Sequence, residues 1–305
     1  MEPGHNATVA TRVNTESITR DEVLSLIDRL VDKGLALWEE GGRYRLLHTV
    51  RQYAGDRLAG TTEGEGIQCR HFAHYSEFGK DTENKVRGPD QHEWLPIFDD
   101  EYDNLRVALD HGFAHQEHAP EAMEMTFNVT PYWFIRGHFD EAVSYYEKAL
   151  EACPREPSDL RARLLRRAGM MCTYSRDDRA GTFLEQALEM AKQVGSPSTL
   201  ADAFFSLGGY FNFKNRLDDS VPLLERSLGM FRVLGDPYGE GFALSILGDI
   251  AQIRGDLDKS LGLFNEALDV RRRTKDDRGV GAALVSLGRI HLDQGLRESA
   301  RSYLA

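Results

Sequence analysis

Phe204-x-x-Leu207-Gly208-x-x-Phe211, followed by Ser220-x-x-x-Leu224, sets the organisation of this 305-residue chain. Forty residues on, Leu244-x-x-Leu247-Gly248-x-x-Ala251 precedes Ser260-x-x-x-Phe264, and Leu284-x-x-Leu287-Gly288-x-x-His291 then precedes Ala300-x-x-x-Leu304. A fixed period in this range marks stacked supersecondary units, none of which can bury its apolar face alone. Each unit reads as two helices, with Phe204, Leu207 and Phe211 on one stripe and Val221, Leu224, Leu228 and Phe231 on the other. A glycine inside a helix costs about 1 kcal/mol against alanine. Its return at 208, 248 and 288 therefore predicts close approach of the paired helices.

Working outward, Gly195-Ser196-Pro197 and Gly235-Asp236-Pro237 stop helices at equivalent places. Arg136-Gly137-His138-Phe139 reads as the turn of an earlier unit, and its Ala149-Leu150-Glu151 matches Ala187-Leu188-Glu189. The unit over 160–194 is weaker, with Ala168 at the glycine place. Five units are expected over 119–305, the last stopping midway along its second helix, as one window on a longer array would.

This pattern resembles the tetratricopeptide repeat (TPR), whose usual period is about 34 residues. Extra residues after Leu228 and Leu268 predict longer second helices. Stacked pairs of this kind curve, and their first helices line a concave groove. The residues beside the buried stripe are expected there: Phe205, Asn212 and Phe213, then Ser245, Asp249 and Gln252, then Val285, Arg289 and Leu292. Aromatic, amide and charged groups together suit an extended peptide or a partner helix. For Phe205 and Phe213 the alternative is packing between neighbouring units.

Toward the N-terminus, 1–15 is polar and reads as a disordered lead-in. Val23, Leu26, Ile27, Leu30 and Val31 follow helical spacing behind Thr19 as N-cap, and Gly34 ends that helix. Residues 35–38 and 43–46 read as two short strands around a turn, and 48–58 returns to helical spacing. Helix, hairpin, helix over 16–62 predicts a small winged-helix domain. The expected fold is therefore mainly α, a winged helix with its β-hairpin followed by a TPR-like α-solenoid.

Leu30-Val31-Asp32-Lys33-Gly34-Leu35 and Gly42-Arg43-Tyr44-Arg45-Leu46-Leu47-His48-Thr49-Val50-Arg51-Gln52-Tyr53-Ala54 resemble the winged helix that follows the nucleotide-binding module in bacterial STAND regulators of the NB-ARC class. Residues 94–109 resemble the segment that joins winged helix to repeats in the same regulators. The resemblance implies a regulatory part of an ATPase switch, and aligns Leu47-His48-Thr49 with a Met-His-Asp motif whose histidine faces the nucleotide phosphates. Only the histidine matches. On the residues alone, His48 reads as a structural group at a strand-to-helix junction. The chain contains no G-x-x-x-x-G-K-[ST] phosphate loop. No cofactor is expected in this chain, and ADP or ATP is implied for a full-length homologue. The chain reads as the C-terminal part of a larger protein or as a remnant lacking the ATPase module, which is a possible intramolecular partner.

A DNA-binding winged helix with a TPR sensor is the second reading. Residues 1–60 hold eight lysines and arginines against nine acids, and Asp21, Glu22, Asp28 and Asp32 line the first helix. Groove-reading helices carry basic faces instead. The whole-chain charge of −12 argues the same way, against nucleic acid and anionic membranes.

A polar stretch at 61–66 is the expected domain boundary, and 63–118 reads as a helical connector. His71 and His74, and then His111, His115 and His118, share helical faces by spacing. With no H-e-x-x-H pattern and no cysteine pair beside them, they read as a solvated polar face, and no metal site is expected. Cys69, Cys153 and Cys172, without C-x-x-C spacing, are expected to be ordinary buried thiols of a reducing compartment. No apolar run reaches the length of a spanning helix and no leader is evident, so a cytoplasmic protein is expected. No catalytic signature is present, and a non-enzymatic interaction protein is expected.

Overall fold

The computed structural model describes residues 19–39, 43–58, 60–88 and 90–304. The expected lead-in at 1–15 and the hairpin turn at 40–42 lie outside them. The chain divides into two compact units, Met1–Cys69 and Arg70–Ala305.

In the first unit, α1 (Arg20–Asp32) starts at a capping box: the Glu22 N–H donates to Thr19 Oγ1, and the Thr19 N–H donates back to Glu22 Oε2 at 2.8 Å. Strands β1 (Ala36–Glu39) and β2 (Arg43–Leu46) pair antiparallel, with Ala36 opposite Leu46 and Trp38 opposite Tyr44. The Trp38 and Tyr44 rings meet edge to face at 4.7 Å, and the Tyr44 hydroxyl donates to Asp28 on α1 at 3.0 Å. Helix α2 (His48–Leu58) follows. Ala36 is buried and Ile27, Leu30 and Val31 are half-buried, while Val23 and Leu26 of the same stripe remain exposed.

Helix α3 (Thr62–Gly79) begins inside the stretch read as a break. Thr61 explains the difference: its hydroxyl donates to Leu58 O at 2.8 Å and accepts from the Gly64 N–H at 3.0 Å, so a side-chain cap offsets the two glycines. The division between units falls later, within α3.

The second unit continues with α4 (Thr82–Arg87) and α5 (Gln91–Ala114), then five helix pairs: α6 (Ala119–Arg136) with α7 (Phe139–Ala152), α8 (Asp159–Ser175) with α9 (Ala180–Val194), α10 (Pro197–Phe213) with α11 (Leu217–Leu234), α12 (Pro237–Ile253) with α13 (Leu257–Arg273), and α14 (Asp277–Asp293) with α15 (Arg297–Leu304). Ser158, Ser196, Asp236 and Asp276 cap first helices through their side chains. Gly195 and Gly235 end second helices at φ 73° and 66°, a conformation costly for residues with a Cβ.

The glycines inside the first helices do mark close approach. A Cβ on Gly208 would stand 2.9 Å from Leu224 Cγ, and one on Gly248 would stand 2.9 Å from Phe264 Cε2. The serines of the signature complete the contact: Ser220, fully buried, donates to Gly208 O at 2.7 Å, and Ser260 to Gly248 O at 2.8 Å. The weaker unit needs a correction. Its glycine equivalent is Gly169, whose Cβ would stand 2.6 Å from Leu184 Cγ, and not Ala168. The unit is one residue shorter between that glycine and the second-helix leucine it meets, Gly169 to Leu184 against Gly208 to Leu224, which hid the glycine from a strict forty-residue comparison.

From Arg70 onward the expected connector shares one core with the first two pairs. Phe72, Phe98, Leu105 and Leu109 are buried together with Tyr132, Trp133 and Tyr146. Cys153 and Cys172 are buried as expected, and burial pushes the Cys172 thiol up to about 12. Cys69 is exposed, against expectation: it lies on a helical turn whose apolar side is carried by Phe72 instead. Among the described residues, no helix is long and apolar enough to cross a membrane.

Candidate functional site

First helices of successive pairs pack on one another, α8 on α10, α10 on α12 and α12 on α14, while the second helices mainly contact their own partners and the next first helix. The first helices therefore form a continuous face. Side chains forty or so residues apart meet across it, because equivalent positions of neighbouring units stand side by side.

Three of the nine residues expected on this face come together. The Arg289 guanidinium on α14 donates to Asp249 Oδ1 at 3.3 Å and to Gln252 Oε1 at 3.1 Å on α12, and the Gln252 amide donates in turn to Asp293 at 2.9 Å. Burial holds the Asp249 carboxyl above the usual carboxylate range, and the neighbouring Arg289 opposes that rise. Val285 and Leu292 on α14 are exposed, at 57% and 50%. Phe213 is 48% exposed and Asn212 half-buried at the end of α10.

Two others are engaged elsewhere. The Phe205 ring lies 6.2 Å from Phe231 and 6.5 Å from Phe242, so it packs between units. Ser245 donates to Gly241 O at 2.9 Å and accepts from Arg271 at 3.1 Å. Arg271, buried beneath it, also donates to Gly279 O at 2.7 Å and Gly241 O at 3.3 Å and stacks on Phe242. Burial lowers its pKa. His48 opens α2, and its side chain lies outside the described residues.

Sequence reasoning missed the aromatic row that extends Phe213. Its ring lies 6.4 Å from Tyr174 on α8, which stands 4.8 Å from Phe134 on α6. Ile253, forty residues after Phe213 and 63% exposed, ends α12 as Phe213 ends α10. Placing the glycine at 169 puts Tyr174 in register with Phe213, a signal that the choice of Ala168 concealed. Also missed was Arg166, buried on α8 and bridged to Asp202 on α10 at 3.1 Å. Its Nε has no hydrogen-bond partner among the described residues. Burial and the adjacent Arg167 bring its pKa down to about 10, so it is charged at neutral pH.

With this geometry in place, comparison with known proteins bears on the repeats. Two segments match tetratricopeptide-repeat models, residues 132–160 and 241–305. Both segments lie within the stacked helix pairs. The chain is 30% identical over 199 residues to proteins of Mycobacterium bovis and Mycobacterium tuberculosis provisionally named HTH-type transcriptional regulators. The match covers 61% of this chain but only 22% of theirs. In fold, the chain is similar to a signal transduction ATPase with numerous domains (STAND) protein with a tetratricopeptide repeat sensor from Pyrococcus horikoshii, at TM-score 0.53 and 16% identity over 92% of this chain and 44% of that one. It is also similar to a Rap protein complexed with competence and sporulation factor, at TM-score 0.53 and 14% identity over 78% of this chain and 74% of that one. At such identities the likeness is one of fold.

Proposed function

We propose that this chain is the sensing and protein-interaction part of a STAND-type signalling or transcriptional regulator, and that an extended peptide or partner helix lies along the face made by α8, α10, α12 and α14. The observation that carries this reading is the exposed row of Tyr174, Phe213 and Ile253 beside the polar Arg289, Asp249 and Gln252 cluster. Exposed apolar groups rimmed by polar ones are the composition of an interaction surface. The TPR matches and the fold shared with a STAND protein that has a TPR sensor support it, as does the Rap fold with its bound factor.

In this reading the first unit is a winged helix that acts on an ATPase module elsewhere in the protein, with His48 toward that module's nucleotide and the whole at work in the cytoplasm. A ligand that binds one arrangement of stack and module better than another shifts their populations by its difference in affinity. Selecting a displayed peptide library on the wild-type chain tests the surface. Peptides so obtained should bind Phe213→Ala and Asn212→Ala variants about tenfold more weakly, or about 1.4 kcal/mol each. Undiminished binding to both variants sinks the assignment.

The relatives' names favour one other reading, DNA binding by the first unit. The balance of eight basic against nine acidic residues over 1–60 opposes it. A gel shift at low salt is expected to show no retardation of duplex DNA, and a shifted band would make DNA the target.

A further inference from the structure

Helix α8 carries four arginines and a single acid, Asp159, in a chain whose net charge is −12. Arg161 and Asp159 are committed at the start of the helix. Arg161 donates to Leu150 O at 2.9 Å and to Cys153 O at 3.1 Å, and Asp159 accepts from the Thr199 hydroxyl on α10. Arg163, Arg166 and Arg167 remain.

Arg163, Arg167, Met170 and Tyr174 follow at intervals of four, three and four residues, which is one stripe of a helix. Burial agrees: Arg163 and Tyr174 are exposed and Arg167 and Met170 half-buried, while Leu164, Ala168 and Met171 are buried. The stripe runs into Tyr174 of the exposed aromatic row, so these arginines share the face made by the first helices. Arg167 and Tyr174 lie about 10 Å apart along the helix axis. About three residues of extended peptide cover that distance.

The patch is short of negative charge. Arg163 lies over the Phe127 ring of α6 at 4.9 Å, and among the described residues neither Arg163 nor Arg167 has an ion-pair or hydrogen-bond partner for its side chain. Arg166 is buried, with one carboxylate, Asp202, at 3.1 Å. Its contacts with Ser206 Oγ at 3.4 Å and Met170 Sδ at 3.5 Å are long, and its Nε has no partner among the described residues. Three cations thus share one carboxylate. After burial, the like charge of Arg167 holds the Arg166 pKa down, and Asp202 opposes that fall. A second carboxylate offsets the repulsion, and its two oxygens match the guanidinium fork. Half-buried Asp202 repels a doubly charged phosphoryl group more than a singly charged carboxylate, which favours the carboxylate.

We propose that Arg163 and Arg167, backed by Arg166, form a carboxylate subsite at the α8 end of the first-helix face, taking an aspartate or glutamate of a peptide whose apolar side chain rests on Tyr174 and Phe213. Resting on the peptide-binding reading above, this gives the ligand an acidic group and a place for it.

Pools of short synthetic peptides, blocked at both ends, test the subsite: the central residue is Glu, Gln or Lys, and Leu, Phe, Ser and Gly are mixed elsewhere. Retention on the immobilised chain is read by mass spectrometry. The chain's net charge attracts lysine and repels glutamate at long range, so a preference for glutamate reports the patch. The Glu pool should be retained about three- to tenfold more than the Gln pool, and the Lys pool least. This ratio on the wild-type chain needs no variant, and it should fall as salt is raised. Arg163→Gln and Arg167→Gln should each remove most of the preference. Arg226→Gln, which alters an exposed arginine over the Phe204 ring on the second helix α11, should leave it unchanged. Phe213→Ala should lower retention of every pool and keep their ratio. Equal retention of the Glu and Gln pools by the wild type, or a preference intact in the Arg163→Gln/Arg167→Gln double variant, would overturn the subsite. Oligothymidylate retained above the Glu pool would make the patch a phosphate site and overturn it as well. Retention unchanged in Phe213→Ala with the Glu preference intact would fault the aromatic row and leave the carboxylate subsite standing.

Discussion

Trp133→Ala should destabilise the second unit by about 3–5 kcal/mol, the usual cost of removing a large aromatic side chain from a packed core. Trp133 is fully buried. Its indole N–H donates to the Tyr102 hydroxyl at 2.9 Å, and its ring stacks on Tyr145 at 5.6 Å. Tyr102 in turn donates to Glu141, and burial, followed by that hydrogen bond, raises its pKa. Trp133 thus ties α5 to both helices of the first pair, and its loss opens a cavity where three helices meet. At about 2–4 °C per kcal/mol for a unit of this size, the melting temperature should fall by roughly 6–20 °C, as read by calorimetry. A fall under about 2 °C would show that α5 docks without it. Trp133→Phe, which keeps a ring in place, should lose less.

Gly248→Leu should cost at least about 1–3 kcal/mol through overpacking. The ring of Phe264 is buried against Gly248. Retreat of the ring would stretch the Ser260 bond to Gly248 O. Gly262, one turn along α13, supplies the contrast, because it is exposed and nothing lies within 4 Å of a Cβ built on it. Gly262→Ala should stabilise by up to about 1 kcal/mol through helix propensity alone. If both variants melt together with the wild type, the close approach at Gly248 has no energetic weight.

The repeats were legible because their constraint is periodic. Gly208, Gly248, Ser220 and Ser260 serve one contact copied forty residues apart, so each copy vouches for the other. The helix stops at Gly195 and Gly235 were legible too, since a glycine at a helix end is a local feature. The register of the weaker unit was not, because the one-residue deficit that moves its glycine to 169 has no local mark. The surface was read in part: Arg289, Asp249 and Gln252 were placed from helical phase, whereas Ser245 depends on Arg271, a residue from another helix that phase does not reveal. The end of α5 was misread for a related reason. Spacing of four and seven is informative only while the helix lasts, and α5 stops before His115.

Arg271 carries one more implication. A single guanidinium spans the starts of α12 and α14 through Gly241 O and Gly279 O and also holds the Ser245 hydroxyl. Anything that pulls on Ser245 pulls on the joint between two repeats. A displacement at that point would therefore be felt as a change of angle between two neighbouring repeats.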